Sequence, residues 1–164
     1  MNAQPGESSV KASGQHLTFA LAGEVFAIPI LAVQEIRGWE KASQTPRLPE
    51  YVLGVVNLRD AVVPILDLRA RLGMAACERN ATAVVIVIRI RSAAADLVTL
   101  GCLVDGVSDL IHIAERDARP APGACGTVDR HFLAGVATVE QQLILMLDLA
   151  RLVALETVWR DVPQ

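Results

Sequence analysis

The sequence predicts an all-β fold with two short helical pieces, and three observations carry that prediction. Hydrophobic residues make up 52% of the 164 positions but aromatics only 4%, so the core must be assembled from Val, Leu, Ile and Ala. Their β-branched members favour strands. Short apolar runs recur between Gly- and Pro-containing breaks, a pattern of barrels or a sandwich and not of an α/β sheet. The third observation is a duplication. Residues 54–68, GVVNLRDAVVPILDL, return without a gap as GVATVEQQLILMLDL at 135–149, sharing the Gly-Val start and the Leu-Asp-Leu finish. A doubled unit favours two small barrels, one per copy, packed side by side with a groove along their seam.

The elements follow in order. Residues 1–15 are rich in Ser, Gly and Gln and read as a flexible tail. Leu17, Phe19 and Leu21 alternate, Gly23 marks a tight turn, and Phe26, Ile28 and Ile30 alternate again, which describes a hairpin. Residues 30–39, ILAVQEIRGW, contain a short turn and then a strand, and TPRLP at 45–49 is an extended, proline-bounded link. A second hairpin, 52–58 with 62–66, flanks a turn at 59–61. Asp67 is then placed to cap a short helix through Leu72 that stops at Gly73.

After a polar link at 74–80, Val84, Ile86, Ile88 and Ile90 share one strand face, and Val85, Val87, Arg89 and Arg91 the other. Residues 97–104 pair with that strand, and Asp105-Gly106 signals a turn before another strand at 107–113. Residues 119–126, RPAPGACG, are irregular. The duplicated hairpin then spans 132–139 and 143–147, and Asp148 starts a helix to about residue 157.

Charge and chemistry exclude several classes. With 15 basic and 18 acidic residues the net charge is −3, and no basic stripe suits a phosphate backbone, so no nucleic acid is expected as a partner. Residues 1–14 lack the apolar core of a secretion signal. The longest apolar run is about half the ~20 residues that a spanning helix needs. A soluble, cytoplasmic protein is expected. Cys77, Cys102 and Cys125 form no CxxC pair, and His16, His112 and His131 lack metal-ligand spacing. No nucleophile elbow or phosphate loop is present in the sequence, so neither catalysis, a metal nor a cofactor is expected.

Four runs carry a family resemblance: ILAVQEIRGW at 30–39, GVVNLRDAVVPILDLRARLG at 54–73, LVDGVSDL at 103–110 and RPAP at 119–122. In this order and spacing they resemble CheW, the bacterial chemotaxis coupling family, over residues 17–155. The resemblance implies two intertwined, five-stranded SH3-like barrel subdomains across residues 16–158, with a C-terminal tail at 159–164. It also implies a non-catalytic adaptor linking the cytoplasmic tips of methyl-accepting chemoreceptors to the regulatory domain of the histidine kinase CheA. Assembly into rings or arrays, recruitment to membrane-associated receptors without direct membrane insertion, and no cofactor go with that role. A coupling paralogue of a non-flagellar chemosensory pathway, for surface motility or second-messenger control, is the alternative function, followed by a small-molecule-binding or enzymatic β-barrel.

On this resemblance Val33 and Ile36 offer the receptor apolar contact, Leu58 extends it, and Glu35, Asn57 and Arg59 orient it. Arg59 presents a forked donor that can bridge Glu35 and a partner carboxylate or carbonyl. On residue types alone, Arg59 and Glu35 read as a structural ion pair worth at most ~1 kcal/mol if exposed. Asn57 reads as a residue that satisfies turn backbone groups, and one of Val33 and Ile36 as core, since in a regular strand they face opposite ways. Kinase contact is assigned to Gly23, Glu24, Gly54 and Val56. Asp60 departs from the family pattern, which places Gly after the Asn-x-Arg triplet; either the turn changes type or a carboxylate competes for Arg59.

Overall fold

The chain alternates short strands with tight turns, and the computed structural model describes residues 14–39, 50–74, 81–91, 97–123 and 128–154. The link at 45–49, most of the loop at 74–80, the start of the N-terminal tail and everything after residue 154 lie outside the described residues. β1 (Gly14–Leu21) and β2 (Glu24–Pro29) form the first hairpin, with β1 starting three residues before the alternation at Leu17. A 3-10 turn at Ile30–Ala32 leads to β3 (Val33–Gly38). β4 (Val52–Leu58), β5 (Ala61–Asp67) and α1 (Leu68–Arg71) follow, then β6 (Val84–Arg91), β7 (Leu97–Val104), β8 (Gly106–Ile113) and the two-residue β9 (Ala118–Arg119). β10 (Leu133–Val139), β11 (Gln142–Leu147) and α2 (Leu149–Ala154) are the last described elements.

Two sheets result, ordered β8-β1-β2-β11-β10-β9 and β3-β6-β7-β5-β4, and each curls into a small SH3-like barrel. Neither copy of the duplication builds a barrel alone. The first barrel takes β1 and β2 from the N-terminal half and β8 to β11 from the C-terminal half; the second takes β3 to β5 and borrows β6 and β7. The borrowed hairpins are docked by parallel pairs, β2 with β11 and β5 with β7. Asp105-Gly106 accordingly closes no hairpin: β8 pairs with β1, so the chain crosses there from one sheet to the other.

The duplication is kept in register as well as in sequence. β4–β5 and β10–β11 share their pairing, including a bulge that precedes Gly54 in one and Gly135 in the other. At Gly135 the reason for glycine is contact, because a Cβ would lie 2.5 Å from the Arg119 carbonyl oxygen of β9. Both hairpins turn on two residues of positive φ, Arg59 (49°) with Asp60 (72°) and Glu140 (51°) with Gln141 (69°). Ala22 and Gly23, at 53° and 81°, repeat the geometry in the first hairpin. Such turns match the right-handed twist of the strands they join.

Burial divides the interior into three parts. One barrel is filled by Ala27, Ile113, Ala137, Ile144 and Met146, the other by Leu58, Val63, Ile65, Val85, Val87 and Leu103. Between them lies the largest core, in which Leu17, Phe19, Phe26 and Ile28 of one exchanged hairpin meet Ile86, Ile88, Leu100 and Cys102 of the other. The Phe19 and Phe26 rings stack there at 5.7 Å, and burial pushes the Cys102 thiol up to about 12. β6 is therefore apolar on both faces, with Ile86 and Ile88 turned to the shared core and Val85 and Val87 to their own barrel. Arg89 and Arg91 emerge at its exposed end, as the alternation requires. Leu68, Leu72, Leu149 and Leu152 of the helical segments cover the shared core.

The helix starts differ from expectation. Asp148 caps α2, its Oδ1 accepting the Arg151 N–H at 3.1 Å, whereas the Asp67 side chain makes no capping bond to the four-residue α1. The Asp67 N–H donates to the Tyr51 carbonyl at 2.7 Å, as the Asp148 N–H does to the Phe132 carbonyl at 2.9 Å. Gly73, with φ 80°, ends the segment as expected.

Asp105 ties the crossover down. Its carboxylate accepts the Arg69 guanidinium at 2.5 Å and the Ala22 N–H at 2.9 Å, while its backbone takes the Thr82 hydroxyl at 2.6 Å and donates to Ala20 at 3.0 Å. Turn, helix and both sheets converge on one residue. Asp105→Ala removes the carboxylate that accepts from Arg69 and from the Ala22 N–H and should cost about 2 kcal/mol in urea unfolding; an unchanged midpoint would remove the clamp. Conversely, Asp60→Gly relieves a positive φ and should stabilise by about 1 kcal/mol, measured the same way, with a loss of stability as the contrary result.

His16 in β1 is buried and its Nδ1 lies 2.9 Å from the Gly14 carbonyl. Burial holds its pKa below the ordinary imidazole value, against the pull of that carbonyl and with a further push from His112. The unfolded chain, with the ordinary pKa of about 6.5, then binds more protons than the fold as pH falls. Stability is complete above that pH and declines below it. Urea midpoints at pH 7.5 and 5.5 should differ less in His16→Gln than in the parent; an equal difference would sink the assignment.

Candidate functional site

Among the described residues β3 is an edge strand paired only with β6, and a bulge at Gln34 divides it, Val33 standing opposite Ile88 and Glu35 opposite Val87. The bulge separates the roles of its side chains. Val33 is half-buried against the shared core and Ile36 is 45% exposed, but the bulge breaks the regular alternation and sets them opposite Ile88 and Ile86, on one face of β6. Glu35 lies between two guanidinium groups, with Arg59 Nη2 3.4 Å from Oε1 and Arg37 Nη1 3.4 Å from Oε2. The pairing of Arg59 with Glu35 bridges β3 to the β4–β5 apex.

Arg59 projects from the barrel rim. Its side chain is 84% exposed, it sits on a turn whose positive φ values turn it off the strand, and among the described residues its ionic partner is Glu35 alone. One contact at 3.4 Å leaves most of the five guanidinium donors to solvent or a partner. Asp60 takes the positive φ that glycine would adopt without strain. Its carboxylate does not displace Glu35 from Arg59.

The remaining expected residues divide. Asn57 is exposed on β4 opposite Val62, and its side chain makes no hydrogen bond among the described residues, so it does not stitch the turn. Leu58, expected to extend the apolar surface, is 8% exposed and packs inside the barrel with Val63 and Val85: strand alternation points it inward when Asn57 points outward. Gly23 and Glu24 are exposed at the β1–β2 turn of one barrel. Gly54 is buried in β4 of the other, and Val56 is half-buried against that barrel's interior.

Two residues on or just before β3, Arg37 and Leu31, were not singled out from the sequence. Arg37 lies two residues beyond Glu35 on the same face of β3, and the period of two was the available signal. Leu31, 92% exposed in the 3-10 turn before β3, had no such signal, because a lone leucine in an apolar run reads as core. The RPAP run places Arg119 and Pro120 beside Arg130 and Arg151 around a separate depression of about 290 Å³. Among the described residues no group of three potential metal ligands gathers anywhere, and no helix is long and apolar enough to cross a membrane.

Comparison with known proteins agrees with this architecture. A family model described as the CheW-like domain matches residues 15–157. The chain is 41% identical over 133 residues to the chemotaxis protein CheW of Rhizobium meliloti, covering 81% of this chain and 83% of that protein. It is 32% identical over 142 residues to the chemotaxis protein CheW of Klebsiella aerogenes, covering 87% and 82%. The crystal structure of the scaffolding protein TtCheW from Thermoanaerobacter tengcongensis superposes with a TM-score of 0.76 at 26% identity, over 85% of this chain and 92% of that one. With these matches, the chain belongs to the CheW family.

Proposed function

We propose that this protein is a non-catalytic, cytoplasmic adaptor that couples the cytoplasmic tips of methyl-accepting chemoreceptors to the regulatory domain of the histidine kinase CheA. Membership of a chemotaxis scaffold family supports the class of function. The single observation that carries the contact assignment is the exposed Arg59, held at 3.4 Å from Glu35 on a shared barrel rim. A receptor tip is helical and carries apolar and charged stripes; Ile36 would meet the first, and Arg59 the second, with Glu35 and Arg37 holding the guanidinium's side of the contact in place. Asn57 adds an exposed amide beside them. Val33 underpins the strand, and Leu58 supports the apex from within instead of touching a partner.

Kinase contact through Gly23, Glu24, Gly54 and Val56 is part of the same proposal, with Gly54 and Val56 acting through backbone shape because they are not fully exposed. Two barrels with different faces suit head-to-tail assembly into rings or arrays. We also propose the bounds of the working unit as residues 16–158, with 1–15 and 159–164 outside it.

Arg59→Glu should raise the Kd for a soluble receptor-tip fragment by about tenfold or more, since charge reversal both removes the donor and repels Glu35. Isothermal titration reads the affinity and circular dichroism the fold. A folded variant with unchanged affinity would withdraw Arg59 from the contact. Arg59→Lys, which keeps charge but not the fork, should fall between the two.

A further inference from the structure

The two barrels are equivalent strand by strand, and the equivalence leads from β3 to a second rim. Going round one barrel, Glu35 stands opposite Val87, Val87 opposite Gly101, and Gly101 beside Ile65. Going round the other, Asp109 stands opposite Thr18, Thr18 opposite Ala27, and Ala27 beside Met146, the duplicate of Ile65. Asp109 therefore occupies the place of Glu35. By the same walk Leu110 replaces Ile36, and Val107 replaces Val33 across a bulge at Ser108 that repeats the one at Gln34. The duplicated hairpin puts Glu140 where Arg59 stands.

The chemistry of this second rim is different. Where the first pairs a carboxylate with a guanidinium, the second has two carboxylates, and among the described residues neither Asp109 nor Glu140 has a cation within 4 Å. Asp109 Oδ1 accepts the Leu110 N–H at 2.9 Å; among the described residues its other oxygen accepts no hydrogen bond. Between β8 and the β10–β11 turn lies a depression of about 530 Å³, with Val25 and Ile144 among its apolar lining and Asp109, His112 and Glu140 among its polar lining. Leu110 and Val107 are 53% and 38% exposed. Among the described residues β8 is also the end strand of its sheet, pairing with β1 on one side only.

We propose that this rim is a second docking surface, which takes an extended, basic segment of a protein partner as an added strand on β8. A free strand edge supplies backbone N–H and C=O groups in register for such a segment, and alternate side chains give the selectivity. An Arg or Lys of the partner lies between Asp109 and Glu140 and supplies the cation that Arg59 supplies on the first rim. Its aliphatic neighbours cover Leu110 and enter the depression. The surface is separate from the β3 rim and does not depend on the receptor contact assigned there.

The probe is the capped peptide Ac-Thr-Val-Arg-Val-Arg-Val-Thr-NH2, titrated into the isotope-labelled full chain and followed by amide chemical shifts. Saturable changes are expected at Ser108 to His112 and at Val139 to Gln142, and not on β3. Asp109→Lys combined with Glu140→Lys, both on the surface, should weaken binding about tenfold or more. A peptide with Glu for both Arg residues should not bind, and one N-methylated at alternate residues should fail because it cannot pair as a strand. No saturable change, equal binding of the acidic peptide, full binding of the N-methylated peptide, changes centred on β3, or an unaffected double variant that remains folded by circular dichroism would each overturn the proposal.

Discussion

The exchange of hairpins between the two copies is the constraint on which the rest of the structure depends. Because β1–β2 completes a barrel begun in the C-terminal half, and β6–β7 one begun in the N-terminal half, neither half buries its apolar surface without the other. The two exchanged hairpins face one another across the largest core, so barrel closure and barrel docking use the same residues. Phe19, Phe26, Ile86 and Ile88 each support both. Cooperative folding of the whole chain follows, since losing either hairpin opens a barrel and the interface at once.

Exchange also requires the chain to cross between sheets, and polar groups at a crossing need partners. Asp105 meets that need with Ala20 and Ala22 of the first hairpin, Arg69 of α1 and Thr82 ahead of β6. The Arg71 guanidinium does similar work on another side, lying 4.9 Å from the Tyr51 ring centroid and 4.5 Å from that of Phe132. With the frame held in these ways, the exposed rims are free to vary. Bulges at Gln34 and Ser108 survive in both barrels because they bend the edge strands, while the side chains they present have diverged in charge.

Duplication thereby separates scaffold from contact within a single hairpin. The Gly-Val start, the Leu-Asp-Leu finish, the bulge and the pair of positive-φ residues are common to both copies. Arg59 and Glu140 are not, and they stand at the tips of the same turn. A left-handed turn built without glycine carries strain at both places, and holds its side chains away from the barrel surface.

Much of this was legible in the residues. Alternation located the strands, the repeat located the second hairpin, and the family motifs brought Glu35 and Arg59 together before any distance was measured. Alternation alone also turned Leu58 inward once Asn57 was exposed, although its place in the contact motif suggested otherwise. Arg37 was within reach of the period of two; Leu31 was not. What only the tertiary structure decided was which strands share a barrel, because parallel pairs such as β5 with β7 join segments that no local pattern relates. Asp105-Gly106 looked like a hairpin turn for that reason, the same dipeptide serving a reversal or a crossing according to which edge lies open. Local sequence determined the strands and their faces through backbone geometry and side-chain period, while burial of the shared core, a property of the whole chain, decided how the hairpins are exchanged and where the two rims stand.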